Sequence, residues 1–448
     1  MIYSEKKALV CGMGRSGIYA ARLLLAHGAQ VTLSELAQNP VVDADLLADE
    51  RVNTHFGANP DDIIDEHQLV VLSPGIATDL PFVEIARSRN IPILSEIELA
   101  SRHCVAPIIA ITGTNGKTTV CTLVGKIMSE AFAGSMLAGN IGIAFSSIAE
   151  KIDKSAWVVA EISSFQLETI IDFKPKISAV LNITPDHLNR HKTMENYISA
   201  KERIFENQDE NDFCVLNYDN QYCNAMVAKM PAKVIFFSKM PLDEGVFIDD
   251  DWIRVVWNGI DERVVSLEDI GSHNVENIMA AVAICIAAGV PMVIISKEIR
   301  NFKAVEHRVE FVRDLRGVSY YNDSKATNVD SALNAINVIS ALGRPIVLIA
   351  GGQDKKLDFG DLVKVFPNRV KSVIVLGEVA EEIIHTCKAY NYHNYELVTT
   401  LKDAVELATT RAVFGDAVLL SPACASQDMF DNYEQRGRIF KDFVNELQ

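Results

Sequence analysis

The run Ile108-Ile109-Ala110-Ile111-Thr112-Gly113-Thr114-Asn115-Gly116-Lys117-Thr118-Thr119 sets an apolar strand, a glycine turn, a lysine and two threonines in an order that grips polyphosphate. Gly113 and Gly116 let backbone N–H groups approach phosphate oxygens. Lys117 adds a full positive charge, the start of the next helix a partial one, and a threonine hydroxyl can reach Mg²⁺. The common form of such a loop has a glycine five residues before Gly116, where this chain has Ile111, so the loop is a shorter form. Ligands of open parallel sheets gather at the carboxyl ends of strands. Two further strand ends carry suitable groups: Glu161 near the end of a strand at 157–162, and Asp186-His187 just past a strand at 177–183. A phosphate cradle, a carboxylate and a carboxylate–imidazole pair could together hold Mg²⁺ between ATP and a second anionic group. Alone, Glu161 reads as a cap or first-turn carboxylate of a helix at 163–170, and His187 as a solvated loop histidine. The phosphate loop beside them favours the metal reading.

Gly12-Met13-Gly14-Arg15-Ser16-Gly17 follows a strand and opens a helix, and Glu35 ends the next strand. This is the dinucleotide fingerprint, and it leaves two readings open: NAD or FAD in an oxidoreductase, or the phosphates of another nucleotide. Later in the chain, Tyr321-Asn322-Asp323-Ser324-Lys325-Ala326-Thr327-Asn328, Gly351-Gly352 with Lys355, and Ser421-Pro422-Ala423-Cys424-Ala425-Ser426 each follow a strand. Each could be an ordinary polar loop with a helix cap. Three at one sheet edge make a binding face.

The elements that must position these groups alternate between short β-branched runs and helix-patterned stretches, an α/β pattern. Strands are expected at 8–12, 31–35, 69–73 and 91–94, then at 108–112, 157–162, 177–183, 214–217 and 233–238. A β-meander is expected over 246–267 and a helix over 274–288. The last strands fall at 319–322, 346–350, 372–376 and 417–420. At 448 residues the chain is too long for one ordinary core. Three α/β domains are expected, at 1–96, 97–302 and 303–448. A formal charge of −17 argues against a general nucleic-acid or membrane-surface binder. The eight cysteines are scattered without metal-ligand spacing and read as reduced thiols of a cytoplasmic protein. Residues 1–7 carry no apolar signal pattern, and no heptad stripe stands out, so a monomer is expected.

Together, several of these runs resemble the Mur ligases of bacterial cell-wall synthesis, across essentially the whole chain. The resemblance rests on Gly113 to Thr119, Ala138-Gly139-Asn140-Ile141-Gly142, Glu161-Ile162-Ser163-Ser164-Phe165-Gln166-Leu167-Glu168 and His273-Asn274-Val275-Glu276-Asn277. It rests also on Glu306-His307-Arg308, Asn322 to Asn328, and Ser421 to Ser426 with Glu434-Gln435-Arg436-Gly437. The short phosphate loop is the family's own form. The runs at 323–328 and 421–426 are similar to those of the branch that adds D-glutamate.

The resemblance implies a Rossmann-like domain for the UDP-sugar, a central P-loop ATPase-like domain, and a Rossmann-like third domain for the amino acid. It implies an ATP- and Mg²⁺-dependent ligase whose substrates are UDP-N-acetylmuramoyl-L-alanine and D-glutamate. The loop at 12–17 with Gly14, Arg15 and Ser16, then Glu35, the turn Ser73-Pro74-Gly75, and Asn140 would hold the UDP substrate. Gly113, Thr114, Asn115, Gly116, Lys117, Thr118 and Thr119 would bind ATP phosphates, with Asn274 and Asn277 at adenine and Arg308 and Asp323 reaching the nucleotide. Thr118, Glu161, His187 and Lys201 would hold metal; Lys201 matches the family's carbamylated lysine. From its own surroundings, Ser199-Ala200-Lys201-Glu202-Arg203, that lysine reads as a solvated residue of a polar helix. Lys325, Thr327, Lys355, Ser426 and Tyr433 would place D-glutamate. Lys117, His187, Lys201 and Arg308 carry the implied catalysis. The chain departs from the family at Asn189, Glu306, Gln427 and Tyr433. A sibling ligase, a folate-glutamate ligase, a nicotinamide-dependent oxidoreductase and a non-catalytic nucleotide-binding regulator are the alternatives.

Overall fold

Three β-sheets, each wound with helices, organise the computed structural model, which describes residues 3–140, 142–270, 275–302, 306–354 and 357–448. The first sheet holds β1 (Lys7–Cys11), β2 (Gln30–Glu35), β3 (Val52–Phe56), β4 (Leu69–Leu72) and β5 (Ile93–Ser95). Its order is β3-β2-β1-β4-β5, all parallel, so strand order reverses beside β1 and opens a crevice between the ends of β1 and β4. The helix Arg15–Ala26 buries Ala20, Ala21, Leu24 and Leu25 on one face, which seats it on the sheet.

The second sheet comprises β6 (Ile108–Thr112), β7 (Met136–Gly139), β8 (Val158–Glu161), β9 (Ile177–Val180), β10 (Phe213–Asn217), β11 (Lys233–Ser238), β12 (Gly245–Asp249), β13 (Trp252–Trp257) and β14 (Ile260–Ser266). Its order is β14-β13-β12-β11-β10-β9-β6-β8-β7. The β12–β13–β14 meander is antiparallel and the rest parallel. β6 is buried at every position, as a central parallel strand covered on both faces must be. The helices Lys117–Ala131 and Val275–Ala287 pack over it in one large apolar cluster.

The third sheet has β15 (Glu310–Leu315), β16 (Val318–Asn322), β17 (Ile346–Gly351), β18 (Val370–Leu376), β19 (Tyr395–Leu397) and β20 (Ala417–Leu420), in the order β15-β16-β20-β17-β18-β19. Only β15 runs antiparallel to its neighbour. The chain forms two compact units. One is Met1–Ile183 with Arg190–Phe302, carrying the first two sheets; the other is Thr184–Asn189 with Lys303–Gln448.

Within the first unit the two sheets meet through buried carboxylates. Glu98 is fully buried and accepts hydrogen bonds from the backbone N–H groups of Ile171, Asp172 and Phe173 and from Arg102 Nε. Glu96 accepts from the backbone N–H and hydroxyl of Ser146. The eight cysteines are free thiols and seven are buried; burial pushes Cys214 up to about 12, which makes it inert. Among the described residues no helix is long and apolar enough to cross a membrane.

Candidate functional site

Gly116 shapes the phosphate loop. It caps the helix Lys117–Ala131 with φ +82°, and a Cβ there would collide with Asn277 Oδ1, so only glycine serves. Asn182, just past β9, clamps the loop: its carbonyl accepts from Thr114 N at 3.0 Å and its Oδ1 from Asn115 N at 2.8 Å. Its amide donates back to Asn115 O at 3.2 Å. Thr114 Oγ1 meets Tyr197 OH at 3.0 Å. Lys117 Nζ donates to Gly113 O and Thr114 O, both at 2.8 Å, so the ammonium lies across the loop that would receive phosphate.

β8 delivers the carboxylate. Glu161, its last residue, lies in register with Ile111 of β6 on one side and Gly139 of β7 on the other. Glu161 is 2% exposed; Oε2 accepts from Thr118 Oγ1 and Oε1 from Asn140 Nδ2, each at 2.9 Å. Neither oxygen is paired with a cationic side chain among the described residues. The structure answers the capping alternative: the following helix, Ser164–Leu167, is capped by Ser163 in a reciprocal capping box with Gln166. It also separates the two threonines: Thr118 faces Glu161, while Thr119 is buried with its hydroxyl unsatisfied.

Lys201 is where local reading fails. Expected to be solvated, it is 2% exposed. It sits one helical turn after Tyr197 on the helix Met194–Glu202, with Nζ 4.8 Å from the centre of that ring. Its ammonium donates to Gly113 O at 3.0 Å and Thr112 Oγ1 at 3.3 Å, directly beneath the phosphate loop. Burial of this charge is tolerated because each contact compensates desolvation.

The fingerprint loop of the first sheet opens onto a cleft of about 540 Å³. Gly14, Arg15, Ser16, Glu35 and Gly75 line it together with Gly139, Asn140 and Gln166 of the central sheet. Gly14, Arg15, Ser16, Glu35, the turn Ser73-Pro74-Gly75 and Asn140, all assigned to the UDP substrate, therefore share one cavity. Glu35 braces the loop, accepting from Met13 N at 2.9 Å and from Leu36 N at 2.8 Å. Arg15 donates to Gly142 O across the cleft mouth. Asn140 belongs to both settings, lining the cleft and bonding Glu161.

In the second unit, Asp323 stands at the end of β16, buried. It accepts from Ser421 Oγ at 2.7 Å and from Val309 N at 3.1 Å. Burial pushes its carboxyl up to about 7, although Ser421, Arg308, Val309 N and Arg436 pull the other way. A carboxyl protonated more readily in the fold than in the unfolded chain stabilises the fold most below its unfolded value near 3.8. That contribution is lost as pH rises towards 7. Asp323→Asn should therefore gain stability relative to the parent chain between about pH 4 and 7, read as a widening difference in urea midpoint.

Lys325 and Tyr433 come together, Nζ lying 5.2 Å from the ring centre. Thr327 N donates to Lys325 O at 2.9 Å. Ser426 is buried, and its backbone N–H donates to Gln427 Oε1 at 3.2 Å. His187, grouped with this unit, has φ +53° and an Nε2 3.6 Å from Asp186 Oδ2; Asp186 in turn accepts from Asn328 Nδ2 at 3.0 Å. Asn274 and Lys355 lie outside the described residues, as does the side chain of Asn189.

Sequence reasoning missed Arg436. It is 3% exposed and donates to Ser324 Oγ and O at 3.0 and 2.8 Å, to Cys424 O at 3.1 Å and to Ala425 O at 3.2 Å. One guanidinium thus ties the loop after β16 to the loop after β20. Next to it, a Cβ on Gly437 would collide with the ring of His307, whose Nδ1 accepts from Asn322 Nδ2 at 2.8 Å. The runs at 306–308 and 434–437 are therefore two halves of one packing contact. The signal the sequence carried was its place in the run Glu434-Gln435-Arg436-Gly437, which came with no role for the arginine.

Three family models match the chain: a Mur ligase MurD-like N-terminal domain over residues 6–95, a Mur ligase middle domain over 111–285, and a Mur ligase glutamate ligase domain over 307–424. The UDP-N-acetylmuramoylalanine--D-glutamate ligase of Caldicellulosiruptor bescii is 45% identical over 453 residues, which cover 99% of this chain and 98% of that protein. The same-named ligase of Lachnospira eligens is 44% identical, with both chains covered in full. Among solved structures, a pseudomurein peptide ligase type C from Methanothermus fervidus aligns with TM-score 0.60 at 17% identity, covering 99% of this chain and 100% of that one. MurF ligase from Thermotoga maritima, in complex with ADP, aligns with TM-score 0.61 at 14% identity over 99% and 96%.

Proposed function

The chain belongs to the Mur ligase family, and from that premise we propose that it joins D-glutamate to UDP-N-acetylmuramoyl-L-alanine at the expense of ATP, a step of peptidoglycan synthesis. It is an ATP-dependent ligase that forms an amide bond. The observation that carries the reading is Glu161, a buried carboxylate bonded to Thr118 in the first turn behind Lys117 and to Asn140 in the wall of the cleft. A nucleotide's phosphates and a substrate seated in that cleft thus meet at one carboxylate.

The γ-phosphoryl group of ATP passes to the substrate's alanyl carboxylate, giving an acyl phosphate and ADP. The amine of D-glutamate attacks the carbonyl carbon, a tetrahedral intermediate forms, and it collapses with loss of phosphate and a proton. Such chemistry depends on positioning and charge neutralisation. Lys117 and the loop's backbone N–H groups would hold the phosphates, and Asn277 and Arg308 would contact the nucleotide. Lys325, Thr327, Ser426 and Tyr433 would hold D-glutamate. The hard oxygen donors Glu161 and Thr118 suit Mg²⁺, and a carboxylate so buried, with no cationic partner among the described residues, fits a metal ligand. Carbamylation would turn Lys201 into an anion and add it to that set with His187. Bound Mg²⁺ would supply neutralisation of phosphate charge. We propose domain limits at 1–96, 97–302 and 303–448, a monomer, and a cytoplasmic location.

Phosphate release measured with each substrate omitted in turn tests the reading. It should require ATP, UDP-N-acetylmuramoyl-L-alanine and D-glutamate together. Release that another amino acid supports equally well would point to a sibling ligase instead. In CO₂-depleted buffer the rate should fall and bicarbonate should restore it; indifference would remove the carbamate from Lys201.

A further inference from the structure

His27, His103 and Glu150 converge where the first sheet's domain meets the central one. His27 is the C-cap of the helix Arg15–Ala26, His103 follows the helix Glu96–Ser101, and Glu150 follows the turn Phe145–Ser147. Their ligand-capable atoms all lie within 4.8 Å of one another. His27 Nε2 is 2.7 Å from Glu150 Oε1, and the two imidazole centroids are 4.1 Å apart at 46°. His103 Nε2 is buried and meets no hydrogen-bond partner among the described residues. Leaving a buried ring nitrogen without a partner forfeits its solvation with nothing in return, so its presence calls for a reason. The nearest cation in sequence, Arg102, is engaged by Glu98 and Asp172.

We propose that His27, His103 and Glu150 bind a divalent transition-metal ion of the zinc class, at a site separate from the phosphate loop. Two imidazole nitrogens and one carboxylate oxygen form a set that zinc accepts with water in the fourth position. The set has too few oxygens for Ca²⁺ or Mg²⁺. Bonds of about 2.0–2.1 Å in tetrahedral geometry place ligand atoms roughly 3.3 Å apart. The His27–Glu150 spacing of 2.7 Å and the 4.8 Å limit on all three lie either side of that value, and the Glu150 side chain, 48% exposed, has room to swing into place. The ion satisfies the stranded His103 nitrogen and replaces the His27–Glu150 hydrogen bond. It joins the end of the helix Arg15–Ala26 to the central domain, and the same helix carries Arg15 and Ser16 into the cleft at its other end.

The full chain, stripped with chelator, should be titrated with Zn²⁺ by calorimetry and with Co²⁺ by visible absorption. One equivalent at this site with the ligand-field bands of tetrahedral cobalt, together with a rise in Tm, is expected. Glu150→Gln, on a half-exposed side chain that leaves packing intact, should weaken zinc binding more than about tenfold. His27→Gln with His103→Gln should remove that equivalent and the Tm rise, whereas Glu161→Gln should keep both. Zinc affinity unchanged in Glu150→Gln, or loss of the equivalent only in Glu161→Gln, overturns the proposal.

Discussion

Lys117→Ala should lower kcat by about 10²–10³-fold while leaving Tm nearly unchanged. Without nucleotide the ammonium donates to Gly113 O and Thr114 O, two carbonyls of a loop that Asn182 and Tyr197 also hold in place. Loss of these bonds therefore costs little stability. With nucleotide bound, the same charge would face the phosphate oxygens, where a preorganised donor is worth about 3–4 kcal/mol of transition-state stabilisation. Lys117→Arg should rescue poorly, because a planar fork does not fit where a compact ammonium sits between two loop carbonyls. Steady-state phosphate release beside thermal melting separates the two quantities. Turnover above a tenth of the parent rate would remove Lys117 from the ATP site.

Arg436→Met should cost about 3 kcal/mol of stability in the second unit and raise the KM for D-glutamate, with the KM for the UDP substrate unmoved. The side chain serves four acceptors on two loops, and its removal takes these donors from Ser324 Oγ and O, Cys424 O and Ala425 O in a dry interior, although Ala425 O keeps its bond from Gln353 N. The loss is partly offset because burial already opposes the guanidinium, holding it down to about 10. Methionine restores the bulk and none of the donors. Arg436→Lys should recover little, since one ammonium cannot span acceptors placed for a planar fork. A chain of two units need not unfold in one step, so urea unfolding should be followed with a probe in the second unit. A loss under about 1 kcal/mol with unchanged KM would mean that the two loops hold themselves.

Central strands were legible from the sequence, as were the edge strands β5 and β14. β6, β9, β17 and β20 are buried at every position and read as continuous β-branched or aliphatic runs. The strands that escaped notice, β3, β7, β15 and β19, all stand at sheet edges, where partial exposure breaks the apolar run. The β12–β14 meander was legible because its strands alternate with clear turns.

The sequence by itself determined the phosphate loop, the fingerprint loop and the strand ends that carry Glu161 and Asp323, because each is a local run whose backbone and side chains act together. Only the tertiary structure decided what lies beneath and between those runs. Lys201 looks like a solvent residue in its own helix, yet the packing of Tyr197 under the loop draws it to Gly113 O. Asn182 has no local mark and Arg436 has only its place in the run 434–437, and each becomes a clamp when chain segments far apart in sequence meet. Hydrogen-bond partners supplied across such distances are set by how sheets and helices pack, which no window of neighbouring residues encodes.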